Sequence, residues 1–329
     1  MELAPIALFV YRRPRHTRRA LESLLSCEEL ARSQLYVYCD AAKDPAAEED
    51  VREARRVAKA LAPAGTVFVE RERNIGLARS IVEGTTDLTA RHGAAIIVED
   101  DLEVAPTFLR FLNAGLERYA DEARVMQISG YQFPLVPPLE HPALFSFTTS
   151  WGWATWSRAW QHFDAMATGT RALETDPSLR QRFDLDGSYP YFEMLQRQQR
   201  GEIDSWAIRW HLSVFMQRGL VLFPARSLVK NHGFDGSGTH GRRGHGFDDV
   251  VEFDNGPLAF PEVALDESAQ RRVFEVLRDA RERSGRNRAL DIASRWTNAL
   301  LDNRFLPGPL RAVGKSLRAR LRTWRSERP

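Results

Sequence analysis

Short apolar runs alternate with amphipathic stretches of helical length over the first third of the chain. The apolar runs fall at about 5–11, 34–40, 66–71 and 94–100, and each has the length of a buried strand. Such alternation predicts βαβ units that build a mainly parallel sheet. We therefore expect an α/β fold with helices flanking the sheet.

Two of the intervening stretches carry signals of helix starts. Pro14 suits the first turn of a helix over 15–25, whose apolar residues fall on one face. The three acids at 48–50 suit the positive end of the dipole of a helix over 46–62.

The pattern changes after about residue 145, where aromatic-rich segments punctuated by glycine replace the regular alternation. Irregular stretches of this kind typically form binding surfaces on a rigid scaffold. We predict one domain with a regular half over 1–112 and an irregular half over 113–265. A helical, basic extension follows over 266–329.

Composition and charge narrow the class of protein. The chain has 46 Lys and Arg against 44 Asp and Glu, a net charge of +2, which argues against nucleic acid as a partner. Cys27 and Cys39 lie in apolar segments, which favours buried thiols and a reducing, cytoplasmic location. The apolar run near the N-terminus is typical of a first strand and not of a signal peptide, and no run has the length of a membrane span.

The segment most informative about chemistry follows the fourth apolar run. Glu99, Asp100 and Asp101 stand at the end of that strand, and a helix start is predicted at Pro106. Open α/β sheets bind ligands at the carboxyl ends of their strands. Adjacent carboxylates repel one another, and a hard divalent cation relieves that repulsion. The alternative is an acidic strand end that faces water and caps the next helix.

The segment from Glu99 to Pro106 resembles the metal-binding segment of N-acetylglucosaminyltransferase I and related bacterial, family 2-like glycosyltransferases of the GT-A fold. The likeness extends in patches from about residue 5 to about residue 241. It implies that 1–112 binds the nucleotide and that 113–265 binds the acceptor. It also implies an inverting transfer from a nucleotide-sugar, with UDP favoured, to a saccharide or lipid-linked acceptor in polysaccharide or glycoconjugate synthesis, with Mn²⁺ or Mg²⁺ as the cofactor.

The resemblance assigns roles in the first half. Asp101 becomes the metal ligand, Asp100 lies near the ribose or sugar of the donor, and Glu99 supports them from behind. Arg13 matches an arginine that contacts the nucleotide, and Asp40 matches an aspartate that accepts a hydrogen bond from uracil.

The segment from Asn74 to Arg79 resembles the one that flanks the base and ribose, so both residues are candidate nucleotide contacts. Asn74 has a second interpretation as the N-cap of a helix, and Asp40 has one as a strand-end turn residue. Many bacterial members have Asn where this chain has Arg12, so the resemblance gives Arg12 no role.

Four of the eight tryptophans stand close together in the second half. Trp156 and Trp160 have helical spacing and are expected in the core. Trp151 and Trp153 are the candidates for a sugar subsite, because indole rings pack against the C–H faces of sugars.

A carboxylate can accept the proton of the acceptor hydroxyl. Asp204 matches the catalytic aspartate of the family, and Glu202 is the reserve candidate; the alternative is that Asp204 only caps the next helix. The glycine-rich segment 230–241 resembles a loop that closes over the diphosphate, and His240 is its candidate contact to phosphate or metal. A plain surface loop is the other interpretation. Positive charge follows this segment at Arg242, Arg243 and His245.

Other functions remain open at this point. A sugar-nucleotide pyrophosphorylase uses a similar sheet, but the segment after the first strand has no glycine-rich loop. A phosphohydrolase would need a second metal-binding cluster, and a sugar- or nucleotide-binding module would need no base. The basic, amphipathic tail over 307–329 suits the surface of an anionic membrane or packing on protein. The oligomeric state is left open.

Overall fold

The computed structural model describes residues 3–235 and 258–283. The chain divides into two compact units, Met1–Leu277 and Arg278–Pro329. Of the second unit, the described residues 278–283 are helical.

Ten strands are found in the described residues. They are β1 (Ile6–Val10), β2 (Leu35–Cys39), β3 (Val67–Glu70), β4 (Ala94–Glu99), β5 (Leu102–Val104), β6 (Val125–Ser129), β7 (Ala143–Phe145), β8 (Trp153–Trp156), β9 (Leu220–Phe223) and β10 (Val229–Asn231). Eight of them form one sheet in the order β3-β2-β1-β4-β8-β6-β9-β7, while β5 and β10 form a separate antiparallel ribbon.

Helices flank this sheet. They are α1 (Pro14–Leu25), α2 (Glu48–Leu61), α3 (Leu77–His92), α4 (Phe108–Arg118), α5 (Ser157–Trp160), α6 (Thr170–Thr175), α7 (Pro177–Phe183), α8 (Tyr191–Gln199), α9 (Trp206–Met216) and the helical residues 267–277 of the first unit. Short 3-10 turns lie at Glu28–Arg32 and Pro45–Ala47. No helix in the described ranges is both long enough and apolar enough to cross a membrane.

The regular half follows the sequence pattern closely. β1 and β2 are buried along their whole length, as their continuous apolar runs predict. Pro14 occupies the first turn of α1, as predicted. The helix α3 approaches β1 closely at Gly84, where an added Cβ would lie 2.8 Å from the Phe9 ring. The α/β fold is thus confirmed.

The direction and register of the strands decide which residues meet. β1, β2, β3 and β4 are mutually parallel, and Phe9 pairs with Glu99 while Val10 pairs with Cys39. The residues that follow these four strands therefore emerge at the same edge of the sheet, which we call the carboxyl edge.

Strand β8 runs against its neighbours in the middle of the sheet. Trp153 pairs with Ile97 on β4 and with Ser129 on β6. Because the pairing is antiparallel, the residues just before Trp153 also reach the carboxyl edge.

The ribbon of β5 and β10 departs from the sequence prediction. A helix start was predicted at Pro106, directly after the acids, but β5 intervenes and α4 begins at Phe108. β5 pairs with β10 through Leu102 opposite Asn231, a partner more than a hundred residues away in the chain. A three-residue strand whose partner is so distant leaves no local periodicity in the sequence.

The core of the first unit extends to Val273, Phe274 and Leu277. The extension predicted to begin at 266 therefore starts inside this packed unit. Cys27 and Cys39 are free and buried, as predicted.

Candidate active site

Three carboxylates end β4 at the carboxyl edge, and Arg13 is their cationic partner. The Arg13 guanidinium contacts Asp100 and lies 3.1 Å from the Asp101 Oδ2 atom. Asp100 is only 3% exposed, and its Oδ2 atom also accepts the backbone N–H of Tyr11 at 3.3 Å. The sequence prediction placed these groups in one site, and the structure brings them into contact.

Burial and mutual repulsion disfavour the ionised form of these carboxylates, and Arg13 compensates for only part of that effect. Burial and then repulsion from Asp101 and Asp100 raise the pKa of Glu99 well above its usual range. Burial also raises the pKa of Asp100, and attraction to Arg13 offsets only part of that effect. Burial alone would lower the pKa of Arg13, but the two aspartates outweigh it and raise the pKa. A further cation at this place would stabilise the ionised carboxylates.

Asp101 has the geometry of an accessible ligand. Its side chain is 16% exposed, and an added Cβ at Gly233 would lie 2.5 Å from its Oδ2 atom. A larger residue at 233 would therefore press against the carboxylate. Hard carboxylate oxygens suit Mg²⁺ and Mn²⁺, which are often held by one or two carboxylates together with waters and substrate phosphates. Within 3–235 and 258–283 no group of three or more His, Cys, Asp or Glu residues is arranged to hold a metal.

Asp40 follows β2 and Asn74 lies in the segment between β3 and α3, so both lie at the same carboxyl edge as the acids. The Asp40 carboxylate accepts the backbone N–H groups of Ala41 at 2.9 Å, Ile75 at 3.0 Å and Gly76 at 2.9 Å. The Asn74 side chain donates to the Ala41 carbonyl at 2.7 Å. Both residues thus fix the loop that leads into α3, and Gly76, not Asn74, is the N-cap of that helix.

Arg55 is a residue that the sequence analysis missed. Its guanidinium donates to the carbonyls of Cys39 at 3.3 Å, Asp40 at 3.2 Å and Arg71 at 2.8 Å, and so joins the ends of β2 and β3. A groove of about 580 Å³ opens beside it. An arginine on an amphipathic helix gives no signal of this role. Arg79, the other candidate on this side, pairs with Glu83 at 2.7 Å on the exposed face of α3.

The start of the glycine-rich segment lies directly against the acids. The His232 backbone N–H donates to the Asp101 carbonyl at 2.8 Å, and the His232 Nε2 atom lies 2.6 Å from the Glu103 Oε2 atom. His16 on α1 approaches the His232 carbonyl at 3.2 Å. His240 is the candidate that the sequence pattern indicates in this segment, and no sequence signal points to His232. His240, Arg242, Arg243, His245 and the tail over 307–329 lie outside the described residues.

The two tryptophans proposed for a sugar subsite lie in different surroundings. Trp151 is half-buried near the carboxyl edge, with its ring centroid 4.4 Å from that of Tyr131 and 5.6 Å from that of Phe234. Trp153 is 0% exposed and stacks on Trp206 at 5.2 Å. A ring without an exposed face cannot receive a sugar, so the subsite interpretation of Trp153 does not fit the structure.

The other tryptophan prediction is confirmed, because Trp156 and Trp160 are both buried in the core. Both faces of the short strand β8 are covered, so Trp153 and Trp156 are both buried although they stand at different positions of the strand.

Asp204 precedes α9 and is 70% exposed at its side chain. It does not cap the helix; Ser205 is the N-cap, and its hydroxyl accepts the Ile208 N–H at 3.4 Å. Asp204 instead forms an ion pair at 2.9 Å with Arg209, whose side chain is 15% exposed. Glu202, the reserve candidate, pairs at the surface with Arg197 at 3.2 Å and Arg200 at 2.5 Å.

Contacts along α9 show which of its ends faces the carboxyl edge. Trp206 stacks on Trp153, which is level with Ser129 at the end of β6. Trp210, one turn later, donates to Gln127 at 2.7 Å, further back along β6. The start of α9, and with it Asp204, therefore lies toward the edge that carries Asp101.

Fold and site together define an α/β protein with a carboxylate cluster and a half-buried arginine at the carboxyl edge of its parallel strands. The start of a glycine-rich segment is held there by the contacts of His232. Neither a protein-family profile nor a curated protein sequence matches the chain.

Solved structures give distant matches. A mannosyltransferase from Pyrobaculum calidifontis in complex with GDP-Man and Mn²⁺ is 14% identical, with 51% of each chain covered and a TM-score of 0.34. GalNAc-T7 with UDP, GalNAc and Mn²⁺ is 12% identical over 70% of this chain and 44% of that one, with a TM-score of 0.42. A UDP-glucose pyrophosphorylase complexed with UDP-glucose is 10% identical over 68% and 90%, with a TM-score of 0.32.

The chain thus spans about half the length of the first two proteins. Likenesses this distant transfer no residue role, and the site rests on its own geometry.

Proposed function

We propose that the protein is an inverting, metal-dependent glycosyltransferase that moves a sugar from a nucleotide-sugar to an acceptor hydroxyl. One observation carries the proposal: at the carboxyl edge Asp100 is buried, Asp101 is partly exposed beside it, and the backbone of Gly233 lies close to the Asp101 carboxylate. Cation and phosphate binding suit this place in an open α/β sheet.

Asp101 would hold Mn²⁺ or Mg²⁺, with Asp100 and Glu99 behind it. Such an ion, when bound, neutralises the charge that develops on a departing diphosphate. Arg13 lies close enough to the same carboxylates to share in phosphate binding. The loop fixed by Asp40 and Asn74 would receive the base and ribose, and we assign UDP as the nucleotide on the strength of the family likeness.

Asp204 is the proposed base. The acceptor oxygen attacks the anomeric carbon, the bond from that carbon to the diphosphate oxygen breaks, and its electron pair leaves with the diphosphate. The Asp204 carboxylate takes the proton of the acceptor hydroxyl. Attack opposite to the leaving group inverts the anomeric configuration, as in direct displacement by inverting glycoside hydrolases.

The acceptor is proposed to be a saccharide or a lipid-linked saccharide. The basic sequence over 307–329 suits a lipid-linked acceptor on the inner face of a membrane. Flotation with anionic liposomes, compared with a chain shortened by 307–329, tests this part; equal flotation of both chains would contradict it.

A donor screen tests the function itself. Hydrolysis and transfer from common UDP- and GDP-sugars are measured with Mn²⁺ and with EDTA, for the native chain, for Asp101→Asn and for the exposed control Asp87→Asn. We expect metal-dependent turnover of one donor by the native chain. Asp101→Asn should lose most of this turnover, and Asp87→Asn should keep it. Formation of nucleotide-sugar and pyrophosphate from UTP and a sugar 1-phosphate would instead identify a pyrophosphorylase. Binding without turnover of any donor would identify a binding module.

A further inference from the structure

We propose that Trp151 and Phe234 form one aromatic surface that receives the sugar of the donor, and that His232 holds Phe234 in place beside Asp101. This inference rests on the proposed function and adds to it the residues that recognise the transferred sugar. Phe234 was not among the residues that the sequence pattern singled out.

The position of Phe234 follows from its neighbour. The backbone of Gly233 lies so close to Asp101 that an added Cβ would approach the Oδ2 atom to 2.5 Å. Phe234 is the next residue, so its backbone begins beside the proposed metal site. Its ring centroid is 5.6 Å from that of Trp151, and the two ring planes meet at 63°.

His232 fixes this segment through contacts on two elements. Its backbone N–H donates to the Asp101 carbonyl at 2.8 Å, and its imidazole lies 2.6 Å from the Glu103 carboxylate on β5. His16 on α1 contacts the His232 carbonyl at 3.2 Å. Because these contacts precede Phe234 in the chain, replacing the Phe234 ring should leave the backbone of the segment in place.

The donor sugar is the ring that this surface would meet first. It is bonded directly to the phosphate that a metal on Asp101 would hold, so it lies closer to Asp101 than an acceptor does. Trp151 and Phe234 are both half-buried residues that remain partly accessible, whereas Trp153 is fully buried. Aromatic faces pack well against the C–H groups of a sugar, and ring contacts of this kind change affinity by about two- to tenfold.

Calorimetry with paired ligands tests the proposal. With Mn²⁺ present, the affinities for UDP-glucose, UDP-N-acetylglucosamine and GDP-mannose are each compared with that for the matching free diphosphate. The variants are Phe234→Leu and Trp151→Leu. Phe260→Leu is the matched control, since this half-buried ring also contacts other aromatic rings but packs against Phe111 on α4 and the adjoining Tyr119.

We expect each site variant to lose about fivefold in affinity for the preferred nucleotide-sugar while its affinity for the diphosphate changes less than about twofold. The control should change neither. Equal losses for diphosphate and nucleotide-sugar would overturn the proposal, because the rings would then act only through the shape of the site. Unchanged affinity for the sugar would overturn it as well.

The native chain separates this outcome from failure of the proposed function. If it binds no diphosphate in Mn²⁺, the glycosyltransferase proposal itself falls, and the sugar surface falls with it. If it binds the diphosphate and the variants fail as described, only the sugar surface is wrong. Should Trp151→Leu melt at a much lower temperature than the native chain, Phe234→Leu decides alone.

Discussion

The two halves of the domain differ in how their residues are positioned. Up to residue 112, parallel strands in register bring Arg13, Asp40 and Asp100 to one edge while the interior stays apolar. After residue 112, the interior is built around packed aromatic rings, among them Trp153, Trp206 and Trp210. The first half places charge by strand register, and the second builds shape by aromatic packing. A change of charge should therefore act locally in the first half, and a change of ring volume should act on stability in the second.

The largest expected effect comes from a charged residue in the aromatic half. Asp204→Asn should lower kcat by about 10²- to 10⁴-fold, because the amide cannot accept the acceptor proton. Donor affinity measured by calorimetry should be unchanged. Glu202→Gln is the paired variant, and its effect should be small because Glu202 sits at the surface with Arg197 and Arg200. Equal activity of Asp204→Asn and the native chain would remove Asp204 from the mechanism.

Trp153→Ala tests whether the second half depends on packing. Removing a fully buried tryptophan should lower the free energy of unfolding by about 3–5 kcal/mol. Trp151→Ala should cost less than half of that, because the ring is only half-buried. Urea denaturation of the two variants measures both. If Trp151→Ala proved the more destabilising, the assignment of Trp153 to the core and Trp151 to the site would have to be exchanged.

Arg13→Met tests the charge cluster of the first half. The change leaves Asp100, which is 3% exposed, without its cation, and we expect a loss of about 3 kcal/mol of unfolding free energy in EDTA. Mn²⁺ should restore part of this loss, since a metal bound to the native state stabilises it. Arg18→Met is the control on the same helix, where the exposed pair with Glu22 contributes roughly 0–1 kcal/mol. A loss of equal size with and without metal would argue against a cation site at these carboxylates.

The smallest expected effect concerns His211 in the second half. Burial among the rings of Phe183 and Tyr191 lowers the pKa of His211 from 6.5 to about 4. Between pH 6.5 and pH 4 the unfolded chain therefore binds a proton at His211 that the folded state does not bind. The stability that is present above pH 6.5 is lost as the pH falls toward 4. Between pH 7 and pH 5 this amounts to about 2 kcal/mol.

Urea denaturation at the two pH values checks the effect of His211. His211→Leu should lose less stability on acidification than the native chain, while His162→Gln, which changes an exposed histidine, should keep the native slope. Identical slopes for His211→Leu and the native chain would show that His211 is not held neutral.

The sequence by itself determined the first half. Continuous apolar runs predicted β1 to β4 within one or two residues. For β1, β2 and β4 the reason is that strands buried on both faces need apolar side chains throughout, whereas β3 is a partly exposed edge strand. The acids after β4 predicted the place of the site, because parallel strands leave their carboxyl ends at one edge. Tertiary structure alone decided the contact of His232 with Asp101 and the hydrogen bonds by which Arg55 joins the ends of β2 and β3. It also decided that Trp153 is fully buried while Trp151 is only half-buried. These depend on which segments meet across long stretches of chain, and a local pattern of apolar and polar residues reports burial and periodicity but not the identity of a distant partner.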